Sequence, residues 1–494
     1  MWKKIFSARF WKYALAVAVP LCVVVFLVQG VDNDTWYVLA EGREIAQNGL
    51  YYEDKLSMHE GLDIVVQNYG FAALSWWIYS ILGMAGIYGL MIILFLILLF
   101  LIYKICMLIS NKNEDLSLLI MSVVGTLMAA SGFVVTREQM LGYVVMMAVI
   151  YVLELYIKNK NWKYLVWIPV LSLILINMRA ATWLMIFLIM LTYVIDGIRQ
   201  PKLHLEGYKI WPIVVAGAVA ILVGLANPYG LKMMTFIFRS YGDGKFMGLV
   251  NELNPFNPAA GVNLICYLGI IGVITAYAFS NKKNVRVRYL LMFFGLLFLG
   301  LTSVKGMAEL MLVMVFPLAL LYKDWKMPIL IEHAGARRAF ILWSGTIASV
   351  VAVAGIVSVM VLMKNEPRES LAKLVDTIDT DVGEGAKAEV KVYTGYNDGG
   401  YLEWRGYKPY LDPRGEVFLM KNNGKEDILH EWIDLKESKA AKEDFMEKYD
   451  FDYIVTTEDD VLYDYEGGEY EMIYDEDGDR LYKKISSVEN EANN

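Results

Sequence analysis

Cysteine and histidine are scarce in this chain, three and four among 494 residues. Cys22, Cys106 and Cys266 all lie inside apolar runs, which argues against a disulfide framework, and they lack metal-ligand spacing. His59, His204, His333 and His430 are scattered, so a histidine-built metal site is not expected. There is no internal repeat and no Gly-rich phosphate loop. No small-residue cleavage site follows the first apolar run, which reads as an uncleaved signal anchor. Charge is nearly missing from the centres of the apolar runs; the exception, Glu154, sits close to the end of one.

What is plentiful is apolar surface. The chain is 57% hydrophobic with a mean hydropathy of +0.42, too apolar for a soluble protein of this size. The net charge of -8 hides two opposite parts. From residue 364 onward there are about 34 Asp/Glu against 17 Lys/Arg, which leaves about 19 acids and 28 bases before it. A basic membrane part joined to an acidic tail argues against nucleic acid as a partner.

A bilayer core needs about 20 apolar residues per helix. Runs of that kind fall near 11–29, 85–108, 116–135, 139–157, 163–178, 180–198, 210–226, 261–280, 289–303, 307–322 and 339–363. The expected fold class is therefore a polytopic α-helical membrane protein with about eleven transmembrane helices. The aromatic segment 68–83 is short, carries Trp76, Trp77 and Tyr79, and suits the interface better than a crossing. With the amino terminus in the cytoplasm, one set of loops holds about 20 basic residues against about 8 in the other. The positive-inside rule then puts the acidic tail outside. Two long outer loops result, 30–84 and 227–260, within a membrane domain 1–364. Short loops, little cysteine and no organellar targeting signal suit a bacterial plasma membrane.

The tail, 365–494, reads as a soluble extracytoplasmic α/β domain. A helix is expected at Leu371–Ile378, strands at Glu389–Thr394, Tyr407–Leu411 and Tyr453–Thr457, and a helix near Ala440–Lys448. Asp475-Glu476-Asp477-Gly478 marks a hairpin turn, and Asn490 to Asn494 read as disordered.

The first outer loop opens with Val31-Asp32-Asn33-Asp34-Thr35-Trp36. Two carboxylates one residue apart do not sit in hydrocarbon, so they mark the water line. Chemistry on this face would meet few nucleotides, which makes a lipid-borne substrate the natural alternative.

These residues resemble the GT-C superfamily of integral-membrane glycosyltransferases. Asp34 to Arg43 is similar to the DTWWHLATGR pattern of a bacterial branch, and Arg137-Glu138-Gln139 to its RPQ element. Asn177-Met178-Arg179 stands where the branch has VNLHGG, with Met-Arg in place of Leu-His. Asn227-Pro228-Tyr229-Gly230 is similar to NPYG. Asp398-Gly399-Gly400-Tyr401-Leu402 with Leu411-Asp412-Pro413-Arg414 is similar to GGYL…DGR. The resemblance implies a polyprenyl-phosphate sugar donor, an extracytoplasmic acceptor and membrane lipids as partners.

Inverting glycosyl transfer needs a base for the acceptor and cations for the departing phosphate. Asp34 or Asp32 is the candidate base; the competing role for Asp34 is a helix N-cap. The pair has the chemistry to hold a divalent ion, though two acids alone do not make a metal site. Arg137, Arg179 and Lys305, in short outer turns, are the candidate phosphate ligands. Their competing roles are interfacial anchors or ion pairs with Glu138 or Glu309. Gln67, Asn68, Tyr69, Tyr229 and Glu252 are candidate substrate-lining residues, Glu252 at the position of the branch's EW/EL motif. Arg43, Glu41 and Glu44 are expected on a solvated helix face. The Asp398 and Asp412 segments read as structural turns, with docking of an acceptor or partner as the alternative. A non-enzymatic envelope scaffold and a transporter of polar lipid or polymer are the rival functions; the uncharged span centres weigh against transport.

Overall fold

The computed structural model describes residues 8–27, 31–203, 207–240, 242–250, 253–255, 257, 267–275, 286–325, 368–436, 439–465 and 468–485. The expected span 339–363, part of 261–280, Glu252 and residues 490–494 lie outside the described residues. The chain forms two compact units, one of Met1–Gln29, Tyr88–Met234 and Val250–Met363, the other of Gly30–Ile87, Thr235–Leu249 and Lys364–Asn494.

The first unit is helical. Lipid offers no hydrogen bonds, so an apolar segment must satisfy its own backbone, and a helix does so. Among the described residues, Tyr69–Ile109, Gln139–Asn159 and Ala180–Ile198 are long and apolar enough to cross a membrane. Lys12–Val25, Trp162–Met178, Trp211–Val223, Val287–Thr302 and Gly306–Leu321 are shorter apolar helices. Tyr69–Ile109 breaks at Gly83, where φ is 61° and ψ is −156°, a backbone that suits glycine alone. The break divides the aromatic segment from the apolar run that follows. Phe100 and Phe298 are 57% and 72% exposed. A scatter of large exposed apolar groups is a liability in water and costs nothing against lipid tails.

A buried cluster of charge in this unit is paired. Arg288, 2% exposed, donates from Nε to Glu154 Oε1 and from Nη1 to Asp196 Oδ2, both at 2.9 Å. Tyr193 donates to Glu154 at 2.9 Å and Tyr208 to Asp196 at 3.2 Å. Sequence alone puts Arg288 with the exposed bases of a cytoplasmic loop; it instead lies inside helix Val287–Thr302. Two buried carboxylates on neighbouring helices would be far too costly without a cation between them.

The second unit carries the sheet. Strands β1 (Lys391–Thr394), β2 (Lys408–Pro409), β3 (Tyr453–Thr457), β4 (Tyr470–Glu476) and β5 (Asp479–Lys484) run in the order β2-β1-β3-β5-β4. β1 is parallel to β2 and β3, and β5 is antiparallel to β3 and β4. Asp477 and Gly478, with φ of 51° and 82°, form the two-residue hairpin turn that matches strand twist. Helix Glu369–Val382 buries Leu371, Leu374, Val375 and Ile378, a three-and-four spacing that makes one apolar stripe.

The strand expected over Tyr407–Leu411 shrinks to two residues. Pro409 has no N–H to give, and its carbonyl accepts from Met58 N–H at 3.1 Å instead. Asp398-Gly399-Gly400-Tyr401, turn-like by composition, opens helix Gly399–Arg405. The loop residues in this unit are tied to the tail. His59 Nε2 lies 2.9 Å from the Tyr410 carbonyl, and His430 Nε2 lies 3.0 Å from Asp243 Oδ1. Burial holds the His59 pKa below its ordinary value, which keeps that ring neutral.

Candidate functional site

The acid-bearing segment is a helix start. Asp34 is the first residue of helix Asp34–Asn48, and Asn33 before it makes no side-chain cap. Asp32 does the capping: its carboxylate accepts from Asp34 N–H at 3.0 Å and its carbonyl from Thr35 N–H at 2.8 Å. Asp32 thus fills a cap role at this helix start. Both acids are half-buried, and every residue from Thr35 to Gly42 is buried. An Asp in the first turn also faces the positive end of the helix dipole.

Glu41 corrects the expectation of a solvated face. It is 2% exposed, and its Oε1 lies 3.9 Å from Arg414 Nη1. Gly42 packs where any side chain would run into the Ala72 backbone and Trp76. Asn68 is buried; its carbonyl accepts from Ala72 N–H at 2.9 Å, and its Nδ2 has no hydrogen-bond partner among the described residues. Gln67 and Tyr69 flank it, half-buried, where the aromatic helix begins.

Arg414 is the centre of a cluster that composition does not reveal. It is 3% exposed and donates to Asp54 Oδ1 at 2.8 Å and to Glu403 Oε1 and Asp412 Oδ2, each at 2.7 Å. Burial opposes the charge on Arg414, but Asp412, Asp54 and Glu403 outweigh it and hold its pKa well above the ordinary value. Burial also lifts Glu403 well above the carboxylate range, with Asp412 beside it adding to the rise. Burial pushes Asp54 the same way, yet Arg414 and the Ser57 hydrogen bonds bring it below its ordinary value. One cation thus faces several acids, and burial disfavours the charge on Glu403. The signal in the sequence was Asp412-Pro413-Arg414, read as a turn; its partner Glu403 is 11 residues away, but Asp54 is 360 away.

In the helical unit, Arg137 donates from Nη2 to Gln139 Oε1 at 3.2 Å, and Gln139 in turn donates to the Tyr143 hydroxyl. Arg179 lies in the break after helix Trp167–Met178, with extended backbone at φ −164°. Its Nε is 3.8 Å from Glu138 Oε1, so the ion pair considered from the sequence is present at long range. Its Nη1 is buried without a hydrogen-bond partner among the described residues. Arg179 lines a narrow cavity with Gly142, Tyr143, Thr182 and Glu309. A Cβ at residue 142 would come 2.8 Å from that Nη1, so glycine leaves the space the guanidinium occupies. An arginine N–H buried without an acceptor is costly, and an anion would relieve it.

Lys305 is half-buried and directly precedes helix Gly306–Val313, which carries Glu309 in its first turn. Tyr229 is buried in the Asn-Pro-Tyr-Gly turn, where Asn227 Oδ1 accepts its N–H at 2.9 Å and Asn227 Nδ2 donates to Gly230 O at 3.1 Å. Among the described residues, no group of three or more His, Cys, Asp or Glu is arranged to hold a metal.

No protein-family model matches the sequence, and no curated protein matches it. Solved structures match by fold. The oligosaccharyltransferase of Archaeoglobus fulgidus, tethered to an acceptor peptide with the NVT sequon, is 12% identical at a TM-score of 0.59. That match covers 98% of this chain and 75% of the other. Its apo form gives 11% identity and a TM-score of 0.60 over 92% and 70% of the two chains. ArnT from Cupriavidus metallidurans, bound to undecaprenyl phosphate, is 12% identical at a TM-score of 0.55, over 98% of this chain and 99% of that one.

Proposed function

We propose that this chain, whose fold is that of the GT-C superfamily, is an integral-membrane glycosyltransferase. It moves a sugar from a polyprenyl-phosphate donor to an extracytoplasmic acceptor: a cell-envelope polymer, a lipid or a protein. The observation that carries this reading is Arg179, a buried guanidinium whose Nη1 has no hydrogen-bond partner among the described residues, on a cavity kept clear by Gly142. The two neighbours lend the chemistry, since one was solved with undecaprenyl phosphate and the other with an acceptor peptide.

In this reading Arg137, Arg179 and Lys305 hold the donor phosphate, and Gln67, Asn68, Tyr69, Tyr229 and Glu252 line the substrates. Asp34, capped and oriented by Asp32, is the base. It takes the proton from the acceptor nucleophile, which bonds to the anomeric carbon as the carbon–oxygen bond to phosphate breaks. Polyprenyl phosphate leaves with that electron pair, and the arginines stabilise its growing charge. About eleven spans in residues 1–364 cross a bacterial plasma membrane from a cytoplasmic amino terminus, with residues 365–494 outside. A divalent ion at Asp32 and Asp34 belongs to the same reading as an option that chelation tests.

The test is sugar transfer from a panel of radiolabelled polyprenyl-phosphate sugars by the purified protein, with Asp34→Asn in parallel and with and without chelator. Turnover of one donor, lost in Asp34→Asn while donor binding persists, supports the assignment. Wild-type rates in Asp34→Asn would remove Asp34 from its role. Neither turnover nor binding of any donor would favour the scaffold or the transporter.

A further inference from the structure

We infer that the tail residues 399–414 act as a positioning clamp for the acid-bearing helix, with Arg43 and Arg414 as positioning residues. The inference rests on the glycosyltransferase reading, because it gives the tail a task in that reaction.

Two arginines make the clamp, one from each side. Arg43, on helix Asp34–Asn48, donates from Nη1 to Trp404 O at 2.9 Å and from Nη2 to Glu403 O at 2.8 Å. These carbonyls belong to the last turn of helix Gly399–Arg405, where the dipole favours a cation; Glu403 O also accepts from Gly406 N–H at 3.1 Å. The same guanidinium lies over the Trp404 ring, 5.1 Å from its centre. From the other side, Arg414 binds the Glu403 carboxylate and Asp54, which lies in the loop after helix Asp34–Asn48. Glu403 therefore holds Arg43 with its carbonyl and Arg414 with its carboxylate.

Close packing fixes the rest. A Cβ on Gly400 would meet Tyr37 N and Cβ at 3.3 Å, so the tail backbone bears directly on the helix one turn from Asp34. Trp36 meets Tyr401 edge to face, with centroids 5.1 Å apart. Apolar side chains of the same volume would hold these segments together as well as buried ions do. What a forked guanidinium adds is one register and one angle. The element held to that angle is the one that begins at Asp34.

The experiment uses the full-length protein and two variants outside the proposed catalytic and phosphate-binding groups. Arg43→Met keeps the stem over Trp404 and removes both hydrogen bonds; Arg43→Lys restores one donor. The expected result for Arg43→Met is faster amide exchange confined to residues 34–48, an unchanged donor KM and a kcat at least about tenfold lower. Arg43→Lys should recover part of both. Faster exchange with wild-type kcat would reduce the clamp to a structural brace and overturn the inference. Unchanged exchange would overturn it too, since the arginine would then hold nothing. If the wild type neither transfers sugar nor binds any donor, the glycosyltransferase reading fails by itself, and the clamp loses its task with it.

Discussion

Replacing Asp460 with asparagine should stabilise the tail at neutral and alkaline pH. Asp460 follows β3; its carboxylate accepts from the Tyr393 hydroxyl at 2.9 and 3.1 Å, and its Oδ1 accepts from Leu462 N–H at 2.8 Å. Tyr393 is itself bonded by Trp432 Nε1 at 2.9 Å. Burial pushes the Asp460 carboxyl from its ordinary 3.8 up to about 6, and the nearby charge of Asp398 adds to the rise. A folded-state pKa above the unfolded one gives stability that is fully present below 3.8 and is lost as pH rises through about 6. At about 1.4 kcal/mol per pH unit of difference, ionised Asp460 costs up to about 3 kcal/mol above pH 7. The side chain is only half-buried, so solvent screening makes that figure a ceiling. Asparagine keeps the shape and the acceptor Oδ1 without the charge. Amide exchange of β3 in the full-length protein reads the effect. At pH 8, Asp460→Asn should slow the exchange of Tyr453–Thr457 by up to about a hundredfold, and near pH 4 it should change little. A loss of protection at pH 8, or an equal gain at both pH values, would refute the reasoning.

Two further outcomes follow from the charge placements. Gly142→Ala puts a methyl against Arg179 Nη1, and donor binding should weaken about tenfold or more with the helical unit intact, read by retention of labelled polyprenyl phosphate. Arg414→Met leaves Asp54, Glu403 and Asp412 buried without their cation, and should cost about 3–5 kcal/mol, read as rapid proteolysis of the tail.

What the sequence reveals here depends on the distance over which a rule acts. β3 spans Tyr453–Thr457 as its composition predicts, and helix Lys439–Tyr449 and the hairpin at Asp477-Gly478 fall where local pattern and turn chemistry put them. Those features are decided within a few residues. The Asp398 segment misleads because two glycines mark a turn by composition; here they admit the Leu411 carbonyl and the Tyr37 backbone, the latter remote in sequence. Glu41 misleads for the same reason, since its partner Arg414 lies in the tail. Arg288 reads as an exposed base because nothing adjacent announces Glu154 and Asp196. Arg179 was legible as a cation in a turn too short to be decoration. Its buried Nη1 and the space left by Gly142 were not, because both arise from packing between helices.

The bond from Arg43 to Glu403 spans 360 residues, and this sets an order of events during synthesis. At about 5–20 residues per second, the helix that begins at Asp34 leaves the ribosome about 20–70 s before its partner residues exist. Until then its buried face has no tail to pack against, and Arg43 has no carbonyls to hold. A chain interrupted anywhere before residue 403 would carry Asp34 on a helix that lacks these bonds.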